Sequence, residues 1–490
     1  MENVPRFHTC SVPRCGRPSE RNCGGCDICN RYMCFSHSSP WFHQCRHEAI
    51  WHSRRQAEFD RLRSLMDDTA VCRYASSLNG GRKCRVEHPA TARDAMVGTA
   101  NYHARVRFSD GSPSWLIRVP RVARMAAYPD ALIDYLIVSE YATLKFLEPT
   151  AVPAPKAFGY GIRGAETDHG VGVSFILMEE LPGKPWDYGG IPEDDATKHE
   201  RAKLWKGLAN VLAELAKHPL PKAGSLRLSP EGGGLEVGPV ASDRFMVLDP
   251  FGPFERAIDY YTAWAEQYLA LIADGQLYAE HPVDAYLVYR FLKENAWQLV
   301  QDDDDHATET TPASKQQQQQ FFMKHVDDVG HHLLVDDDLN ITGIIDWQMA
   351  RAVPPREAFG PSLVTVDCST MIRGPVGLTV RDVAVADALR ERGSPELARW
   401  SCDEKARRFF WGLGLEDEWS YSLAEAQAIL EAFGVHQDWA AWRTMALKRY
   451  SKTDKRLRRL RVLERASSTR SSPYNLRERP GKVGSGLGAK

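Results

Sequence analysis

A chain of 490 residues, 43% hydrophobic and 26% charged, is long enough for two or three compact units with sizeable cores. Its 62 Lys+Arg against 64 Asp+Glu argue against a chain-wide nucleic-acid or membrane-surface role. No apolar run approaches the ~20 residues of a membrane-spanning helix, and MENVPRFHTC lacks the basic-then-apolar order of a signal peptide, so the expected address is cytoplasmic and reducing.

Seven of the 11 cysteines fall between Cys10 and Cys45. In a reducing compartment such a cluster points to metal rather than to disulfides. The spacing is Cys10-x4-Cys15, then Cys26-x2-Cys29-x4-Cys34-x2-His37-x5-His43-x-Cys45, with Cys23 left over. Zinc takes four N or S donors in a tetrahedron, and short C-x2-C turns present two thiolates to one ion. The spacing resembles the A-N-one type of zinc finger over about the first 45 residues. That resemblance implies two structural zinc ions. Cys10, Cys15, Cys34 and His37 would hold one, and Cys26, Cys29, His43 and Cys45 the other. With every donor used, the expected role of the module (1–50) is docking of a protein partner.

Residues 51–70 are charged and helix-prone and read as a helical connector. From 71 to 182 the chain is strand-rich. ANYHARVRF and PSWLIRVPR flank the turn SDGS, a hairpin signal, and GVSFILMEEL is a further strand before Pro182-Gly183. Between them DYLIVSEYATLKFLEP reads as a helix halted by Pro149. From 183 to 450 the pattern is helical: Leu204, Leu208, Val211, Leu212 and Leu215 recur at helical spacing, as do Ile258, Tyr261, Trp264, Tyr268 and Ile272. A helix is expected from Pro282 to about Val300. Residues 302–320, with four aspartates and five glutamines, read as a disordered insertion.

Directly after that insertion comes HVDDVGHHLLVDDDLNITGIIDW, from His325 to Trp347. Phosphoryl transfer needs a carboxylate at the acceptor hydroxyl, a second carboxylate for the metal ions, and a cation on the phosphates. The stretch resembles the catalytic core of the aminoglycoside phosphotransferase and choline kinase-like branch of the protein kinase superfamily, many of whose members are fungal. That family's pattern is H-G-D-x-x-x-x-N followed by I-D-W. The resemblance runs from about 90 to 365 and implies an α+β, bilobal protein kinase-like fold behind the small zinc-binding module. It also implies ATP with magnesium or manganese as cofactor. Carried over by position, Asp327 is the catalytic aspartate, Asp346 the metal-binding aspartate, Arg118 the phosphate-gripping cation and Glu140 its helical partner. The hinge Met178–Leu181, with Glu179 and Leu181, would hold the adenine, and the turn from Val97 to His103, with Gly98, would cover the nucleotide.

Two residues depart from the pattern. His332 stands where the family has a metal-binding asparagine, and imidazole suits manganese or zinc better than magnesium. Asp328 adds a carboxylate beside Asp327, and like charges at close range raise one pKa. Asp336, Asp337 and Asp338 read as a hairpin turn. The tail 451–490 is basic and reads as a disordered, solvated arm after a short helix, with a nuclear-import signal or a weak polyanion-binding arm as the alternative. Two functions remain open on the sequence: ATP-dependent phosphoryl transfer to a small-molecule hydroxyl, or an inactive kinase-like scaffold whose zinc finger docks partners.

Overall fold

The structure, a computed structural model, describes residues 10–15, 19, 26, 29, 31–34, 37, 42–46, 48–91, 100–121, 130–186, 198–230, 232–241, 251–278, 280–300, 319–366, 377–414 and 419–469. Gly98 of the expected nucleotide-covering turn, Cys23, most of the 302–320 insertion and the tail beyond 469 lie outside them.

The small lobe is built on five strands: β1 (Cys84–Glu87), β2 (Asn101–Phe108), β3 (Trp115–Pro120), β4 (Ala157–Gly161) and β5 (Phe175–Glu179). They form one antiparallel sheet in the order β1-β2-β3-β5-β4. Along β2 every second residue, Tyr102, Ala104, Val106 and Phe108, is buried, as a strand with one covered face requires. What covers that face is α1 (Glu48–Leu65) and α2 (Asp68–Leu78), through Phe59, Leu62, Met66, Ala70, Val71 and Ala75. Burying Phe59 and Leu62 contributes about 2 kcal/mol each. The expected connector at 51–70 is therefore part of the lobe's core. Its apolar residues sit at intervals of three and four among many charges, which masks them in the composition. Asp67 caps α2 by accepting from the Thr69 and Ala70 N–H groups.

The helix α3 (Asp130–Leu147) packs on β4 and β5 and stops two residues before Pro149. The large lobe comprises α4 (Lys198–Leu215), α5 (Ala257–Ala273), α6 (Pro282–Asn295) and seven later helices among the described residues: α7 (Pro355–Ala358), α8 (Val380–Glu391), α9 (Pro395–Trp400), α10 (Glu404–Trp411), α11 (Trp419–Ala432), α12 (Trp439–Tyr450) and α13 (Lys455–Thr469). Aromatic residues fill its core. Tyr268 and Tyr289 stack at 4.1 Å, and Tyr260, Tyr261, Tyr286 and Tyr289 are at most 2% exposed. The short helix expected at the start of the tail is present and runs over 15 residues. Residues Lys455–Thr469 form α13, which buries Leu457 and Leu460 against α5 and α6 and pairs Arg456 with Glu266 at 2.6 Å. Leu457 and Leu460 are three apart, enough for one apolar stripe on an otherwise basic helix. No helix among the described residues is long and apolar enough to cross a membrane.

Short strands carry the acidic segment. After β6 (Lys184–Pro185) and the hairpin β7 (Ser225–Leu228)–β8 (Leu235–Gly238) come β9 (Phe322–Lys324), β10 (Leu333–Val335), β11 (Ile341–Ile344) and β12 (Arg351–Val353). β10 pairs with β11 and with β6, and β9 pairs with β12, all antiparallel. Asp336 makes the turn between β10 and β11. Its Oδ1 accepts from the Asp338 N–H at 3.0 Å and the Asn340 N–H at 2.9 Å. Two lobes, an antiparallel sheet with its packed helices, and a helical lobe that presents two acidic loops form the bilobal, kinase-like α+β arrangement.

Candidate active site and the cysteine clusters

β3 puts Arg118 on the face that meets α3 and the end of β11. Its Nη1 donates to Glu140 Oε1 at 2.5 Å, and its Nη2 donates to Asp346 Oδ1 at 2.5 Å and to Gln348 Oε1 at 3.0 Å. Arg118 and Glu140 are at most 3% exposed, and the Asp346 side chain is 31% exposed. Buried charges are tolerated only when paired this closely. Burial pushes the Glu140 carboxyl up to about 7, against the pull of Arg118. At Asp346 burial also pushes upward, but the Arg118 and His332 charges outweigh it and hold the carboxyl well below the usual range. Asp346 has φ +64°, a left-handed conformation that costs a non-glycine residue about 1–3 kcal/mol. Trp347, 1% exposed and donating to the Ile344 carbonyl at 2.8 Å, closes the turn behind it.

The loop between β9 and β10 lies opposite. His325 is buried and its Nε2 lies 2.8 Å from the Ile345 carbonyl, tying the loop to the end of β11. A carbonyl only accepts, so this nitrogen carries the hydrogen. Burial, seconded by His332, pushes the His325 pKa down and keeps the ring neutral. Asp327 is exposed, its side chain at 54%. Asp328 behaves differently from the expected like-charge neighbour. It accepts from Ser362 Oγ at 2.7 Å and the Leu363 N–H at 3.1 Å, and Lys324 Nζ is 3.4 Å away. Burial pushes its carboxyl up, but Lys324 and these donors prevail and its pKa is lowered, not raised. Adjacent loop residues point to different partners.

His332 Nδ1 lies 2.7 Å from the Asp327 backbone carbonyl, which makes Nδ1 the protonated nitrogen. In the neutral ring Nε2 then carries the lone pair, and it faces Asp346 Oδ2 at 3.5 Å. The two atoms form a mixed nitrogen–oxygen donor pair, with the imidazole fixed from behind by a backbone group. The Asp327 carboxylate lies 3.9 Å from His332 Nδ1.

Arg118, Glu140, Asp346, His332 and Asp327 thus come together. Glu179 and Leu181, expected at the hinge, lie apart from them. The Glu179 N–H donates to the Lys156 carbonyl at 2.9 Å and its Oε2 accepts from the Lys156 N–H at 3.2 Å, so the residue is engaged with the β4 edge. Leu181 lies across β11, where a Cβ on Gly343 would come within 2.7 Å of Leu181 Cδ1. Two site residues carry no sequence signal. Asn101 on β2 and Gln348, both buried and 3.0 Å apart, span the two lobes beside Arg118. Only the position of Gln348 next to the I-D-W motif could have suggested it.

At the N-terminus two donor sets gather: Cys10, Cys15, Cys34 and His37, and Cys26, Cys29, His43 and Cys45, the ligand atoms of each within 4.8 Å of one another. His37 Nδ1 is 3.4 Å from Cys10 Sγ and 3.5 Å from Cys34 Sγ, and His43 Nε2 is 3.4 Å from Cys29 Sγ. The Ser11 N–H donates to the Tyr32 carbonyl at 2.6 Å, which brings the Cys10 and Cys34 strands side by side. Three thiols and one imidazole per set, at this separation, fit a soft tetrahedral ion.

The sequence model of the phosphotransferase enzyme family matches residues 98–396. Among solved structures, a candidate aminoglycoside phosphotransferase from Ralstonia eutropha is 14% identical, covering 78% of this chain and 94% of its own, with a TM-score of 0.41. Macrolide 2′-phosphotransferase from Brachybacterium faecium is 17% identical over 74% of this chain and 97% of its own, with a TM-score of 0.34. Plasmodium vivax ethanolamine kinase is 11% identical over 72% and 80%, with a TM-score of 0.37. No curated protein matches the chain.

Proposed function

The chain belongs to the phosphotransferase enzyme family, and from that premise we propose that it transfers a phosphoryl group from ATP to a hydroxyl of a small molecule, with two structural zinc ions in its N-terminal module. The observation that carries the reading is the meeting of Arg118, Glu140 and Asp346 beside the exposed Asp327 carboxylate. In this reading Asp327 accepts the proton of the acceptor hydroxyl, since its side chain is 54% exposed and its nearest ionisable neighbour, His332 Nδ1, is 3.9 Å away. Arg118, braced by Glu140, holds the phosphates. Asp346 Oδ2 and His332 Nε2 hold the divalent ion. That ion, when bound, neutralises charge on the phosphates. A nitrogen–oxygen pair favours manganese over magnesium, which prefers oxygen alone. The hinge Met178–Leu181 carries the adenine, and Leu181 sets its floor against β11. In the head, Cys10, Cys15, Cys34 and His37 hold one zinc ion and Cys26, Cys29, His43 and Cys45 the other.

One observation favours the silent-scaffold reading. Both Asp346 oxygens already face protein side chains, Oδ1 the Arg118 guanidinium and Oδ2 the His332 ring. The Asp327→Asn variant separates the two. An enzyme loses ATP turnover and keeps ATP affinity. A scaffold shows the same background turnover as its variant.

A further inference from the structure

The helix α1 joins two regions that the sequence treats as separate. Cys45, the last donor of the second set, precedes α1 by three residues. From within the helix Arg54 Nη1 donates to Cys45 Sγ at 2.6 Å. One turn on, Glu58 receives both Nε and Nη2 of Arg121, a bidentate pair whose arginine is 2% exposed. Arg121 follows β3 directly, three residues after Arg118, and its N–H donates to the Ala100 carbonyl at 2.9 Å. Phe59 sets its ring edge-on to Tyr102 at 5.1 Å, and Tyr102 pairs across the sheet with Val119. Direct contacts therefore run from a thiol of the second donor set to the strand that carries the phosphate-gripping arginine.

A helix turn is rigid and places Arg54 about 6 Å along the axis from Glu58. If the start of α1 shifts, Glu58 and Phe59 shift with it. Arg121 then loses the carboxylate that makes its burial tolerable. Arg54 supplies the outer hydrogen bond that a thiolate-rich centre uses to balance its charge. We propose that the head is a structural part of the nucleotide site: the ion held by Cys26, Cys29, His43 and Cys45 fixes α1, and α1 fixes the end of β3 and so Arg118. This rests on the two-zinc reading above. It replaces independent docking with coupling, and coupling between two ligands is reciprocal. ATP must then tighten zinc retention by the same factor by which zinc tightens ATP.

The test uses the full chain, with zinc release to a chromogenic chelator measured at equilibrium with and without saturating magnesium ATP. Zinc content comes from elemental analysis, and amide hydrogen exchange is read over residues 115–121. The expected result is two zinc ions per chain and release reduced about fivefold to tenfold by ATP. Arg54→Ala and Glu58→Gln should keep both ions yet lose that protection. Stripping zinc should speed exchange at 115–121 even without nucleotide. Two bound ions, release indifferent to ATP and unchanged exchange at 115–121 would overturn the coupling and leave zinc binding standing. A chain without zinc overturns the zinc reading and the coupling together.

Discussion

The head and the 325–347 segment both gather groups that suit a metal, but they are held in opposite ways. In the head eight donors converge in two sets, with Met33 the buried apolar side chain beside them among the described residues other than the cysteines themselves. In the segment, Asp327 apart, the groups already have protein partners: Asp346 has Arg118, Asp328 has Ser362 and Leu363, His325 and His332 have backbone carbonyls. On the proposed reading, one region needs metal to fold, and the other keeps its shape and needs metal to act.

The largest effect expected is on chemistry. Asp346→Asn removes the charged ligand and the Arg118 partner, and should lower ATP turnover by at least about 10²–10³-fold. A circular dichroism spectrum like that of the wild type would show that function and not folding is lost, while retained turnover would break the contrast. Next comes metal removal. Stripping zinc should unfold residues 10–45, seen as full amide exchange there, while the helices of the large lobe keep their protection. A head that stays protected without metal would place it with the segment.

Acid draws the same line more finely. Below pH 6 protonation of cysteine and histidine ligands should release zinc from the head. The body responds through buried neutral histidines. Burial pushes His281 down to about 4 from 6.5, and its ring packs 4.5 Å from Trp419. The unfolded chain therefore binds the proton first, and stability falls as pH drops from 6.5 towards 4, by about 2 kcal/mol. His281→Leu should flatten that slope in urea titrations at pH 7 and pH 4.5. Asp346 and Asp328, whose folded pKa values are depressed, give stability that is fully present above the unfolded value near 3.8 and lost only below it. The smallest effect belongs to the exposed pair of Lys184 and Asp337, where Asp337→Asn should leave the melting temperature unchanged.

Periodicity made much of the fold legible. β2, β3, β5, α3, α4, α5 and α6 fall where alternation or helical spacing predicts them. β1 and β4 were missed because Cys84–Glu87 is short and AFGYG is broken by glycine, so neither alternates for long enough. The core role of α1 was hidden by its charges. At the site, the resemblance of HVD and IDW to the family pattern located the two loops, and the same resemblance paired Arg118 with Glu140. The orientation of Asp328 was not legible, because adjacency in sequence does not fix direction in a loop. Nor was the Asn101–Gln348 contact, between residues 247 apart with no local pattern linking them. Whether the coupling of head to sheet exists turns on Arg54, Glu58 and Arg121, three charges that read as ordinary surface residues until the fold brings them together.

If Asp346 and His332 hold a divalent ion for ATP, titration calorimetry of ATP with manganese and with magnesium will show it. The wild type should bind manganese ATP several-fold more tightly than magnesium ATP, and His332→Asn should reverse or erase that order while preserving binding. Failure of both proteins to bind ATP with either ion, or a preference that survives the substitution unchanged, would contradict it.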